Sequence, residues 1–243
     1  MGAPFTDITL YSPTIHSVST PEYYQETCLK NYVSDLYVQK MYGYKPPTTT
    51  RVTLQPTFYG VWNKNRKDGS LISMAPFYDR EQYEAFDKKG KYKYILDIIH
   101  TSMLQLSEEY NWKKEVFENA YKEIIDNDFE FVVRYPPKKA KDKKKVAEII
   151  IEKTESTTTV YVSIQMEGQC TKQKLFDKKN WYWYDEAYKM AKHSKWFDNN
   201  RFGIYIKNLN FAVWYSISDR KVSFEVNGTV QETYNLKRMF TQY

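Results

Sequence analysis

At 243 residues, 42% hydrophobic and 27% charged, the chain has a globular composition and ample material for a buried core. Its net charge is only +6, and one run, 138-KKAKDKKK-145, holds +5 of it, so the chain as a whole does not announce nucleic acid, while a local basic patch remains open. No apolar run approaches transmembrane length, and the opening MGAPFTDITLYS lacks the basic and apolar regions of a secretory signal; a cytoplasmic protein without membrane association is expected.

Eight glycines leave little for Gly-rich phosphate loops, while 23 Tyr and 13 Phe supply much of the apolar surface. Cys28 and Cys170 are too few for a disulfide framework, and neither has a histidine at metal-ligand spacing, so free thiols are expected. His16, His100 and His193 lie far apart in the chain.

Residues 4–10 read as a short strand, and 12–21, with two Pro and several Ser and Thr, as loop. Over 22–41, Tyr24, Cys28, Tyr32 and Leu36 recur every fourth residue, which predicts a helix with Thr20 and Pro21 at its start. Lys45-Pro46-Pro47 marks its end. From Arg51 the period changes to two: Val52, Leu54, Phe58 and Trp62 alternate with polar residues, a turn signal follows at Asp68-Gly69, and Leu71 to Tyr78 reads as the return strand. Pro56 and Pro76 restrict this hairpin to a sheet edge or mark bulges.

Residues 79–88 suit a short helix. Residues 92–110 carry the clearest helical stripe, Ile95, Ile99, Met103, Leu106 and Tyr110, widened by Leu96 and Ile98. Asn111 reads as the N-cap of a next helix, Trp112 to Ile125, with Val116, Phe117, Ala120, Tyr121 and Ile124 on one face. Three strand signals follow, around 129–135, 146–151 and 160–164. A helix over Trp181 to Trp196 then precedes three more, around 202–206, 211–217 and 222–226.

The order helix, then three strands, thus occurs twice. Trp112, 120-AYK-122 and 126-DND-128 in the first pass answer to Trp181, 187-AYK-189 and 198-DNN-200 in the second. These patterns predict an α+β fold of antiparallel meander sheets packed against amphipathic helices, organised as two related helix-plus-three-strand units in tandem. The expected divisions are an N-terminal segment 1–50, a first unit 51–170 and a second unit 171–243.

Four consecutive aromatics, Trp181, Tyr182, Trp183 and Tyr184, cannot all face one core when a helix turns about 100° per residue. With Tyr188 inward, Trp181 and Tyr184 follow it, leaving Tyr182 and Trp183 to meet another layer or a protein partner. His100 lies three residues after Asp97, a spacing that lets a carboxylate orient an imidazole, although no nucleophile accompanies them. Asp126 and Asp128 are candidate metal ligands if a third joins them; as helix-ending and turn residues they serve equally. Lys138, Lys139, Lys141, Lys143, Lys144 and Lys145 offer point charges to phosphates or an acidic partner from a loop, but without interleaved aromatics or arginines.

No Walker loop, GxGxxG, GxSxG, HExxH, CxxC or kinase motif is present. No cofactor is expected. The favoured expectation is a non-catalytic, cytosolic protein-binding protein, concretely a neutralising or immunity-type inhibitor of a toxin, in which Tyr supplies rigid contact area. Two alternatives are a nucleic-acid-associated protein using the 138–145 lysines and a hydrolase or nuclease with a dispersed acidic metal site.

Overall fold

Apolar side chains spread over about half the circumference of one helix organise the first part of the chain. In α1 (Pro21–Lys40), Cys28, Leu29, Tyr32, Val33, Leu36 and Tyr37 are all buried, more than a single amphipathic stripe provides. The computed structural model describes residues 7–11, 21–57, 65–180, 187–207 and 210–226. Among these are five helices and thirteen strands in three sheets, an α+β fold. The chain divides into two compact units, Met1–Glu130 and Phe131–Tyr243. Residues 131–170, grouped by sequence with what precedes them, therefore lie with the second unit.

In the first unit, α1 contacts strand β1 (Asp7–Leu10) on one side and helices α3 (Lys88–Tyr110) and α4 (Lys114–Asp126) elsewhere. The four-stranded sheet runs β1, β2 (Arg51–Leu54), β4 (Leu71–Met74), β3 (Arg66–Asp68). Ile8, Leu10, Val52, Leu54 and Ile72 bury one face by strict alternation. The expected antiparallel hairpin of 51–62 with 71–78 is corrected: β2 pairs with both β1 and β4 in parallel, and the hairpin partner of β4 is β3. β3 is Arg-Lys-Asp, fully exposed, so no hydrophobic alternation marks it. Nor is β2 an edge. Pro56 and Pro76 lie beyond the last residues of β2 and β4, where Pro76 still accepts from the Thr57 N–H at 3.0 Å, so neither proline interrupts a ladder.

Two aspartates start the next helices. Asp79 accepts from Gln82 N at the head of α2 (Arg80–Ala85), and Asp87 accepts from Gly90 N at the head of α3. The α3 stripe is buried as the spacing predicts: Ile95, Leu96, Ile99, Met103 and Leu106 are inaccessible. Asn111 is not an N-cap. It closes α3 in the left-handed conformation, φ 52 and ψ 48, a role its short polar side chain tolerates, and α4 begins at Lys114 without a side-chain cap.

The second unit is two sheets sharing one core. The larger runs β5 (Val132–Arg134), β7 (Lys145–Lys153), β8 (Thr157–Met166), β9 (Gln169–Lys179), with β6 (Lys138–Lys139) also on β7. The smaller runs β10 (Ser194–Trp196), β11 (Arg201–Ile206), β12 (Phe211–Ser216), β13 (Lys221–Val226), antiparallel throughout. Ile149, Ile151, Val160 and Val162 from the first sheet join Phe202, Ile204, Phe211 and Val213 from the second in one buried cluster, closed by Ala187, Met190 and Ala191 of helix α5 (Ala187–Lys192).

Residues 194–196 form a strand of this sheet, not the end of the predicted 181–196 helix: α5 ends at Lys192, and Ser194 pairs with Ile204. In both Ala-Tyr-Lys triplets the Ala is buried on a helix. Their surroundings differ, since α4 packs on α1 and α3 whereas α5 packs on β7 and β11, and α4 lies in a different unit from the strands that follow it.

Candidate functional site

His100 sits on α3 in a polar cluster. Its Nδ1 lies 3.0 Å from the Tyr37 hydroxyl, and its ring stacks on Tyr121 with centroids 4.3 Å apart. Asp97 does not hold the imidazole as its spacing suggests. Its carboxylate accepts from Lys93 at 2.7 Å and from the Tyr121 hydroxyl at 2.8 Å. Burial pushes the His100 pKa down, against the opposing pull of Asp97 and Glu118, and burial raises that of Tyr37. Tyr37 also reaches Phe117 O at 3.3 Å. With its proton on that carbonyl, Nδ1–H donates to the Tyr37 oxygen; a neutral imidazole satisfies the network either way. This arrangement ties α1, α3 and α4 together.

Asp126 is the exposed last residue of α4. Asp128 sits in the turn after it at φ 49 and pairs with Lys89 at 2.6 Å. Among the described residues no group of three or more His, Cys, Asp or Glu is placed to hold a metal ion. No helix among them is long and apolar enough to cross a membrane. Trp181, Tyr182, Trp183 and Tyr184 lie outside the described residues. Cys28 is a buried thiol and Cys170 an exposed one.

The lysine run is an ordered hairpin rather than a loose loop. Lys138 and Lys139 form β6 against Val146 and Ala147, Ala140 is buried, and Ala140 N donates to Lys145 O at 2.9 Å. Lys143 takes the left-handed position of the turn, φ 60. Asp142 braces it: its carboxylate accepts from Lys144 N at 3.0 Å and Lys145 Nζ at 2.9 Å, and these bonds, Lys145 first, hold its carboxyl below the ordinary carboxylate value. Two lysines are thereby committed, since Lys138 Nζ donates to Ser194 O and Lys145 pairs with Asp142. Lys139, Lys141, Lys143 and Lys144 remain exposed.

The hairpin is fastened to the smaller sheet. Trp196 Nε1 donates to Lys138 O at 2.8 Å, and Asp142 N donates to Asn199 Oδ1 at 3.1 Å. The fold therefore supplies what the run lacks in sequence. Register places Lys195, Gly203 and Trp214 in one row on the outer face of the sheet, with Arg201 and Tyr205 on either side of Gly203 along β11. Phe197, just past β10, completes a ring cluster with centroid distances of 5.5 Å to Trp214 and 6.4 Å to Tyr205. Lys195 Nζ lies 3.8 Å from the Tyr205 centroid, and the Arg201 guanidinium 5.7 Å from that of Trp214.

Charge divides unevenly between the units. Phe131–Tyr243 carries 21 Lys and Arg against 12 Asp and Glu, a net +9; Met1–Glu130 carries 15 against 18, a net −3. The modest total conceals a basic second unit behind an acidic first one. Lys195 was missed because 181–196 reads as one helix, and Phe197, Arg201, Tyr205 and Trp214 because only the register of β10, β11 and β12 brings them together; the period-two alternation of 202–206 and 211–217 is the signal that assigns 203, 205, 212 and 214 to one face.

No family model, no curated protein and no solved structure matches the chain.

Proposed function

We propose that this chain is a nucleic-acid-associated protein whose second unit contacts phosphates through the 138–145 hairpin. The observation that carries the reading is the ordered hairpin itself: four exposed lysines on one braced hairpin, in a unit with a net charge of +9. A fixed turn holds ammonium groups together without first losing the conformational freedom of a loose loop. Phosphate recognition by lysine needs proximity rather than a planar fork, so exposed point charges suffice. The neutralising, protein-binding reading rests on Trp181, Tyr182, Trp183 and Tyr184, outside the described residues, and no described geometry favours it. A metal-dependent hydrolase finds no third ligand near Asp126 and Asp128 among the described residues.

The test is anisotropy of a labelled oligonucleotide across a salt series, for the native chain and for a variant with Lys139, Lys141, Lys143 and Lys144 changed to Gln. Affinity should fall steeply with salt, and the logarithmic slope should drop by roughly 0.7 to 0.9 for each lysine that contacts a phosphate. An unchanged affinity and slope in the variant rejects the hairpin as the phosphate contact.

A further inference from the structure

We propose that the nucleic acid bound is single-stranded, with its unpaired bases stacking on Phe197, Tyr205 and Trp214. This rests on the reading of the lysine hairpin as a phosphate contact and adds which form of nucleic acid the surface selects.

The three rings differ from the core phenylalanines of the same sheet. Phe202 and Phe211 are buried at 0% and 3% exposure, whereas Phe197, Tyr205 and Trp214 are only half-buried on the opposite face of the same sheet. Lys195 lies over the faces of Tyr205 and Phe197, and Arg201 over that of Trp214; a bound base takes the cation's place, π-face against the ring, and the displaced side chain swings out to meet the phosphate. Any base has such a face, so the platform is indifferent to sequence but requires the base to be unpaired. The faces of paired bases are already occupied by their neighbours in the duplex, and a duplex offers this surface its phosphates alone.

The attachment of the hairpin sets the side on which the backbone of the strand lies. Sheet order runs from β10 to β13. Lys195 and Phe197 belong to the β10 side, to which the hairpin is fastened through Trp196 and Asn199. Glu225 lies on the same outer face at the far strand, in the row Tyr205–Ala212–Glu225. Asp198 holds Arg201 at 2.7 Å and offsets that charge locally. Lys221, exposed on the same face of β13 in the row Arg201–Ser216–Lys221, balances Glu225, so the surplus on the β10 side comes from Lys195 and the four exposed hairpin lysines. The backbone of a bound strand runs along the hairpin side with its bases turned inward over the three rings.

The experiment compares the full chain and its variants on a labelled oligothymidine and on a duplex of equal length. Native protein should prefer the single strand. Phe197→Leu and Trp214→Leu should each weaken single-strand binding about tenfold, with the salt slope and duplex binding unchanged, and Trp214→Phe, which keeps a ring, should stay within about threefold of native. If Trp214→Leu loses its folded melting transition, Phe197→Leu and Trp214→Phe carry the comparison. Equal or tighter binding of the duplex overturns the stacking platform. So does unchanged oligothymidine affinity in Phe197→Leu while the four-lysine variant still loses its salt slope, and in that case the phosphate contact stands. Loss in neither variant overturns both.

Discussion

Lys30 and Glu26, one turn apart on α1, form an ion pair in which the ammonium is wholly inaccessible while the carboxylate keeps 22% of its side-chain surface. The lysine Nζ also lies 4.9 Å from the Tyr78 ring centroid, and burial pushes its pKa down despite the adjacent carboxylate. Such a pair is asymmetric. Removing the carboxylate takes the ion-pair partner from a buried ammonium, whereas removing the lysine leaves a partly hydrated carboxylate. Glu26→Ala should therefore cost about 3 kcal/mol in urea unfolding, and Lys30→Met less than about 1 kcal/mol. Equal costs would mean that the ammonium charge, which Met cannot replace, is itself what the site needs.

His100 gives the first unit a pH dependence with a defined sign. Its pKa is lowered in the fold from an ordinary 6.5, chiefly by burial. Below pH 6.5 the unfolded chain gains a proton that the folded chain resists, so this contribution is complete above 6.5 and is lost as pH falls through the lowered value. The slope has a ceiling of about 1.4 kcal/mol per pH unit for a single proton. The stability difference between native protein and His100→Gln should therefore shrink from about pH 8 to about pH 5, other titrating groups cancelling. A difference independent of pH would show that the imidazole titrates alike in both states.

Asn111 tests a backbone requirement rather than a contact. At φ 52 it ends α3, and its N–H and that of Trp112 both return to Ser107 O. A β-branched side chain is poorly accommodated there, while glycine enters freely. Asn111→Val should cost about 1–2 kcal/mol and Asn111→Gly less than about 0.5 kcal/mol by thermal unfolding. A costly glycine would place the role in the Asn side chain instead.

Elements whose burial matches a simple period were legible in the sequence, and those built by long-range pairing were not. The α3 stripe and the alternation of Val160, Val162 and Ile164 read directly. β9 did not, although it is 11 residues long: among its residues only Leu175 and Lys178 are buried, and a register shift opposite Val160 and Tyr161 breaks its alternation. The turn before it, Glu167-Gly168 with φ of 50 and 80, was the available signal. At the candidate site, the lysines showed as a charge run but their bracing by Asp142 did not. Phe197, Tyr205 and Trp214 come together through the pairing of three strands, which no local pattern encodes.

Gly203 connects the stability of that sheet to its outer face. β11 and β12 approach so closely there that an added Cβ would lie 2.0 Å from Val213 O and 2.5 Å from Trp214 Cα, both of them backbone atoms. Relief requires the strands to part, since no flexible side-chain end is available to move. Gly203→Ala should cost about 3 kcal/mol. Gly69 is the control: its φ of +56 strains an added side chain, but nothing lies within 4 Å, so Gly69→Ala should cost about 1 kcal/mol. Urea midpoints of the two variants separate steric collision from backbone strain, and equal losses would mean that β11 and β12 are less tightly apposed at Trp214. Because the parting displaces Val213 O and Trp214 Cα together, Gly203→Ala should also weaken oligothymidine binding while leaving the salt slope of the hairpin intact, which Gly69→Ala should not do.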